Sequence, residues 1–104
     1  YPGLTDSHNH EIAAKQMKGF GGMVSFDLGS VEAGKSFVNN VKLCALATSL
    51  GGVESIVQHS ASMTHATLPD EARRKAGVTD GLIRMSVGVE AFEDIRRDIY
   101  EALG

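Results

Sequence analysis

Thr48-Ser49-Leu50-Gly51-Gly52-Val53-Glu54-Ser55 joins one apolar run, Leu43 to Ala47, to a second around Ile56 and Val57. A chain leaving a strand into Ser-Leu-Gly-Gly must turn, because Gly51 and Gly52 accept backbone angles that other residues resist. The stretch reads as a hairpin turn that leaves one small hydroxyl, Ser49, at a strand end. Strand ends in α/β domains are where ligands gather. Taken alone, the stretch is a turn and nothing more. Its interest comes from the residues around it, above all Arg84.

On either side, Leu43–Thr48 and Glu54–Gln58 read as short strands. Upstream, Val31–Lys42 has Val31, Gly34, Val38 and Val41 near one face beside Phe37, which predicts a helix N-capped by Ser30. Met23–Leu28 alternates and predicts a strand. His8–Met17 predicts a helix with Ile12 and Ala13 on its apolar face, ended by Gly19-Phe20-Gly21-Gly22. Downstream, His59–Leu68 has no period and reads as loop, and Pro69–Lys75 as a short helix closed by Gly77. Leu82–Val87 is a strong strand candidate. In Ala91–Leu103, Phe92, Ile95, Ile99 and Leu103 recur at helical steps, with Glu93 and Arg97 spaced for an ion pair. Mixed elements with one-faced helices predict an α/β (α+β) domain, a small sheet covered by helices on one side.

The 104 residues suffice for one domain with a modest core. A net charge of -3 argues against binding the phosphate backbone of nucleic acid. No apolar run approaches the ~20 residues that span a bilayer. The one cysteine, Cys44, lies in an apolar run and reads as a buried hydrophobe. The chain opens Tyr1-Pro2-Gly3-Leu4, without an initiator Met or a visible leader, and is expected to be a piece of a longer protein.

Gly29-Ser-Val-Glu-Ala-Gly34-Lys35-Ser36 matches the phosphate-loop pattern and suggests, as an alternative, a small nucleotide-binding module. We reject it, because bulky Val31 and anionic Glu32 occupy the middle of a loop that would have to wrap phosphates. His8 and His10 read as surface residues at a helix start, with no metal-ligand cluster beside them. His59 and His65 flank a Ser/Thr/Met loop, and His65, next to Thr64, is the more interesting. Arg84 carries most weight. It lies between Ile83 and Met85, and a guanidinium in an apolar strand needs an anionic partner. That partner is either a protein carboxylate, Glu54 or Glu90, or a ligand carboxylate held by the bidentate fork.

Four stretches in order then carry a resemblance: Tyr1–Leu4 with Gln16-Met17 and Gly19–Phe26; Ser49–Ser55; Met63-Thr64-His65-Ala66; and Leu82–Glu90. Together they resemble the C-terminal part of the pyridoxal-phosphate enzymes of cysteine and methionine metabolism, the cystathionine γ-synthases, cystathionine β- and γ-lyases and methionine γ-lyases. The resemblance covers essentially the whole chain. It implies that residues 1–104 form the small C-terminal, substrate-binding domain of an aminotransferase-like fold, with an antiparallel-rich sheet and helices on one face. Arg84 then matches the arginine that holds the substrate α-carboxylate. Ser49 matches a catalytic serine near the cofactor-bearing lysine and the substrate, and Thr64 a threonine that supports the site. The parents are typically cytoplasmic homotetramers.

The same resemblance implies pyridoxal 5'-phosphate as cofactor, bound by an absent upstream part. None of Lys15, Lys18, Lys35, Lys42 and Lys75 lies in the Ser-x-x-Lys context of the cofactor lysine. The isolated fragment is therefore expected to be inactive. The implied reaction is α,γ-elimination or γ-replacement on methionine, homocysteine, cystathionine or acylated homoserine, of the methionine γ-lyase or cystathionine γ-lyase type. Transferases of the cystathionine γ-synthase or O-acylhomoserine sulfhydrylase type are the alternative. Thr48 stands where cystathionine-handling relatives often have an acid, which tilts the substrate toward an uncharged far end. A freestanding structural or regulatory domain is the third reading. It predicts a clean monomer, whereas an enzyme fragment with a bare docking face self-associates.

Overall fold

A computed structural model describes all 104 residues, Tyr1–Gly104. Its elements are α1 (His10–Gln16), β1 (Met23–Asp27), α2 (Val31–Asn40), β2 (Ala45–Leu46), β3 (Ile56–His59), α3 (Asp70–Lys75), β4 (Leu82–Ser86) and α4 (Phe92–Leu103), with a 3-10 turn at Ser60–Ser62. The four strands form one sheet in the order β1-β4-β3-β2. β4 is antiparallel to both β1 and β3, while β2 runs parallel to β3.

Register sorts the side chains. Val24, Met85 and Val57 align across the sheet, as do Phe26, Ile83 and His59. On that face Val57, Ile83 and Met85 are buried with Phe37 and Val38 of α2 and Ile95 and Ala102 of α4, and Val24, Phe26 and Ile99 pack around them. Phe26 meets Phe37 edge to face, centroids 5.5 Å apart. The alternate rank, Ser25, Arg84 and Gln58, therefore points to the other face.

Local chemistry sets the helices. Ser30 Oγ accepts from Ala33 N at 3.1 Å and starts α2, as expected. Gly34 lets α2 close on the sheet, since a Cβ there would collide with the His59 ring. α4 is pinned by Asp98, which accepts from the N–H groups of Lys42 (2.6 Å), Leu43 (3.0 Å) and Cys44 (2.8 Å). Burial pushes the Asp98 carboxyl up, but these N–H groups outweigh it and hold it below the ordinary Asp value.

Several expectations need correction. The Ser49 stretch is no hairpin: β2 and β3 are parallel, so residues 47–55 must reverse the chain twice. The expected strand Leu43–Thr48 shrinks to Ala45–Leu46, because only Ala45 and Leu46 pair with β3. His59 is no loop residue but the last of β3, fully buried, with its ring between Ser62 Oγ (2.7 Å) and Asp80 O (2.6 Å). Glu93 does not pair with Arg97. The shorter i,i+3 spacing joins Arg96 to Glu93 at 2.8 Å and Arg97 to Asp94 at 3.2 Å. α1 buries no residue, and Ile12 stays exposed. No helix is long and apolar enough to cross a membrane.

Candidate functional site

The open face of the sheet carries the polar cluster. Arg84 Nη2 donates to Thr48 O at 3.0 Å and to Gln58 Oε1 at 3.1 Å. Gln58 is buried and donates through Nε2 to Ser60 Oγ (3.2 Å) and Thr64 Oγ1 (3.3 Å). Thr64 Oγ1 lies 2.8 Å from His65 Nδ1. One line of hydrogen bonds thus runs from the loop at Thr48 through Arg84 and Gln58 to Thr64 and His65.

The two protein carboxylates open as partners for Arg84 are not its partners. Glu90 binds Ser55, through N at 2.6 Å and Oγ at 2.9 Å, and these bonds, backbone first, hold its carboxyl below the ordinary range. Glu54 is exposed and makes no ion pair. Arg84 is half-buried, its only acceptors are neutral, and its Nε and Nη1 donate to nothing in the chain. Full positive charge with spare donors on a polar floor is the chemistry of an anion grip.

Ser49 is exposed, makes no side-chain hydrogen bond, and directly follows the residue bound to Arg84. Thr48 meets Arg84 through its carbonyl, not its hydroxyl. The loop lies over the open face: Gly51 N donates to Ser86 Oγ at 2.8 Å, and Val89 N to Val53 O at 2.8 Å. Sequence reasoning missed Gln58, Ser55 and Ser86. The signal for Gln58 was present, since a polar residue inside Ile56-Val57-Gln58-His59 poses the same question as Arg84.

The remaining motifs lie elsewhere. Residues 31–36 of the phosphate-loop pattern are helix α2, so no loop is there to wrap a phosphate. His8 is exposed. His10 is half-buried, bound to Pro2 O at 2.6 Å and stacked on Phe20. Cys44 is buried, and desolvation, helped by Asp98, raises its thiol to about 12.

The profile of the family described as Cys/Met metabolism PLP-dependent enzyme matches residues 1–104. Among curated proteins, the chain is 57% identical over 104 residues to the L-methionine gamma-lyase of Fusobacterium nucleatum subsp. polymorphum, covering 99% of this chain and 26% of that protein. It is 56% identical over 103 residues to the cystathionine beta-lyase of Lactococcus lactis subsp. cremoris, covering 99% and 27%. Among solved structures, cystathionine gamma synthase from Xanthomonas oryzae pv. oryzae, in complex with aminoacrylate and cysteine, superposes with a TM-score of 0.90 at 48% identity, over 99% of this chain and 27% of that one. The chain thus spans about a quarter of the length of the relatives it matches.

Proposed function

The chain belongs to the Cys/Met metabolism PLP-dependent enzymes, and from that membership we propose that it is the C-terminal substrate-gripping domain of a longer carbon–sulfur lyase. The reaction is α,γ-elimination on a sulfur amino acid, of the methionine γ-lyase or cystathionine γ-lyase type. γ-Replacement, as in a cystathionine γ-synthase or O-acylhomoserine sulfhydrylase, is the nearest alternative. The observation that carries this reading is Arg84, a half-buried cation with two neutral acceptors, no carboxylate and donors to spare. The α-carboxylate of an amino acid supplies the missing charge. Gripping it fixes how the substrate Cα is presented, and such orientation contributes to rate. Gln58 accepts from the guanidinium and is itself held by Thr64, and Ser49 offers a free hydroxyl at the substrate's side.

Pyridoxal 5'-phosphate is the cofactor of the family, and it supplies an electron sink for chemistry at Cα. The residues present here do not fit it. The group takes a lysine amine, and Lys15, Lys18, Lys35, Lys42 and Lys75 are all exposed, with none hydrogen-bonded to the Arg84 cluster. Lys42 faces Glu101 and Lys75 faces Glu71. We assign the seat of the cofactor to the rest of the protein, whose assembly as a cytoplasmic homotetramer is part of the same proposal. The uncharged Thr48 favours a substrate without a distal ammonium, such as methionine, homocysteine or an acylated homoserine.

In the longer enzyme, Arg84→Ala is expected to lower kcat/KM for methionine by about a hundredfold or more, with the melting temperature and cofactor absorbance band kept. An unchanged KM and kcat overturns the carboxylate grip. A strong preference of the parent enzyme for cystathionine over methionine overturns the reading of Thr48 alone.

A further inference from the structure

The Ser49 loop is held from behind by a group the reaction scheme does not use. Ser55, wholly buried, closes the loop where the chain enters β3. It presents two donors, N–H and Oγ–H, and both go to one carboxylate, Glu90 Oε1 at 2.6 Å and Oε2 at 2.9 Å. Ser55 Oγ in turn accepts from Gly88 N at 2.9 Å. The fit at Gly88 admits no side chain, since a Cβ would collide with Val53 O and stand 2.6 Å from Ser55 N. The segment that leaves β4, the strand of Arg84, is therefore locked onto the end of the loop that carries Ser49.

We propose that Glu90 is a positioning residue for the substrate: by clamping Ser55 it sets where the Ser49 loop stands over Arg84. The proposal rests on the reading of Arg84 as the carboxylate grip. The clamp reaches the site through the loop's own hydrogen bonds. The side-chain hydrogen bonds of Glu90 go to the loop's exit, at Ser55. Between that exit and Arg84 the loop has three further ties: Val53 O to Val89 N, Gly51 N to Ser86 Oγ, and Thr48 O to Arg84 itself. Slack at Ser55 is passed along this series to Thr48 and Ser49. A carboxylate accepts both donors of Ser55, one on each oxygen. An amide of the same shape would donate its NH2 to Ser55 Oγ, which already accepts from Gly88 N, and the hydroxyl proton would lose its acceptor.

The test uses the longer, cofactor-loaded enzyme with Glu90→Gln and Ser55→Ala, each beside Arg84→Ala. Kinetics compare an amino-acid substrate with its α-carboxamide, and amide hydrogen exchange follows residues 49–53. Glu90→Gln is expected to lower kcat/KM for the acid about tenfold, to change it less for the carboxamide, and to speed exchange in the loop while β3 and β4 keep their protection. Ser55→Ala, which keeps the backbone bond to Glu90, shifts both readouts the same way by less. An unchanged acid-to-carboxamide ratio in Glu90→Gln overturns the proposal, as does unchanged loop exchange. If Glu90→Gln fails to fold, Ser55→Ala decides by the same criteria. Where Arg84→Ala removes the acid preference and Glu90→Gln does not, only the clamp fails. Where Arg84→Ala leaves the preference intact, the carboxylate grip itself fails.

Discussion

At Arg84 the shape of the cation matters as much as its charge. Nη2 is committed to Thr48 O and Gln58 Oε1, and these neutral acceptors orient the fork without cancelling its charge. A lysine keeps the charge, but with both acceptors held its one nitrogen has a single donor left, where the guanidinium still offers Nε and Nη1 to a ligand. In the longer enzyme proposed above, Arg84→Lys is therefore expected to retain only about a tenth of the unsubstituted kcat/KM, read from steady-state kinetics on methionine; full rescue by lysine counts against the fork. Cys44 gives a second prediction. Its thiol, buried and raised to about 12, is protonated at neutral pH and barred from attack. A thiol reagent at neutral pH should label the folded chain hardly at all and the denatured chain fully. Rapid labelling of the folded chain contradicts this burial. Arg84 was legible in the sequence because a charge inside an apolar strand raises a question at once. Glu90's bond to Ser55, 35 residues away in sequence, was not, because nothing local marks either residue as half of a pair.

At the scale of elements, strands with a single buried face announced themselves. Met23–Asp27 and Leu82–Ser86 were legible through alternation or apolar content, and Ser30 marked the start of α2. The direction of β2 was not legible. Gly51-Gly52 says that the chain turns but not how often, and the ties that make residues 47–55 a double reversal reach Arg84, Ser86 and Val89, far along the chain. His59 was hidden for a similar reason. Its ring is accommodated by Gly34 of α2 and by Asp80 O, both distant in sequence, with Ser62 Oγ the one nearby partner. This contact yields a prediction. Gly34→Ala adds the small side chain best suited to a helix, yet the new Cβ meets the His59 ring. Overpacking should win, destabilising the domain by about 1–3 kcal/mol in denaturant titration. A stabilised variant would mean that α2 can lift off β3 without cost.

For the molecule as a whole, acid is the sharpest probe, because the fold is tied together by carboxylates whose pKa values are lowered. Asp80 is held at about 2 by Arg74, then Arg73. Asp27 is lowered by Thr79, then Gly29, and Asp98 by the N–H groups that outweigh its burial. A carboxylate with a depressed folded pKa binds fewer protons in the native than in the unfolded chain, so its contribution rises with pH. That contribution is complete above the ordinary Asp value of 3.8 and drains away as pH falls through the lower folded value. Among the three, Asp98 alone is buried, and it alone joins α4 to the segment entering β2. Asp98→Asn replaces one acceptor oxygen with a donor that faces N–H groups. It should cost about 2–3 kcal/mol near neutral pH. Because asparagine does not titrate, the variant's stability should also fall less steeply than the wild type's as pH drops from 5 toward 2. Denaturant midpoints measured at intervals across that range give both quantities. Parallel curves for the two proteins would mean that the acid transition is governed elsewhere and that Asp98 is not the tie that holds α4 to the sheet.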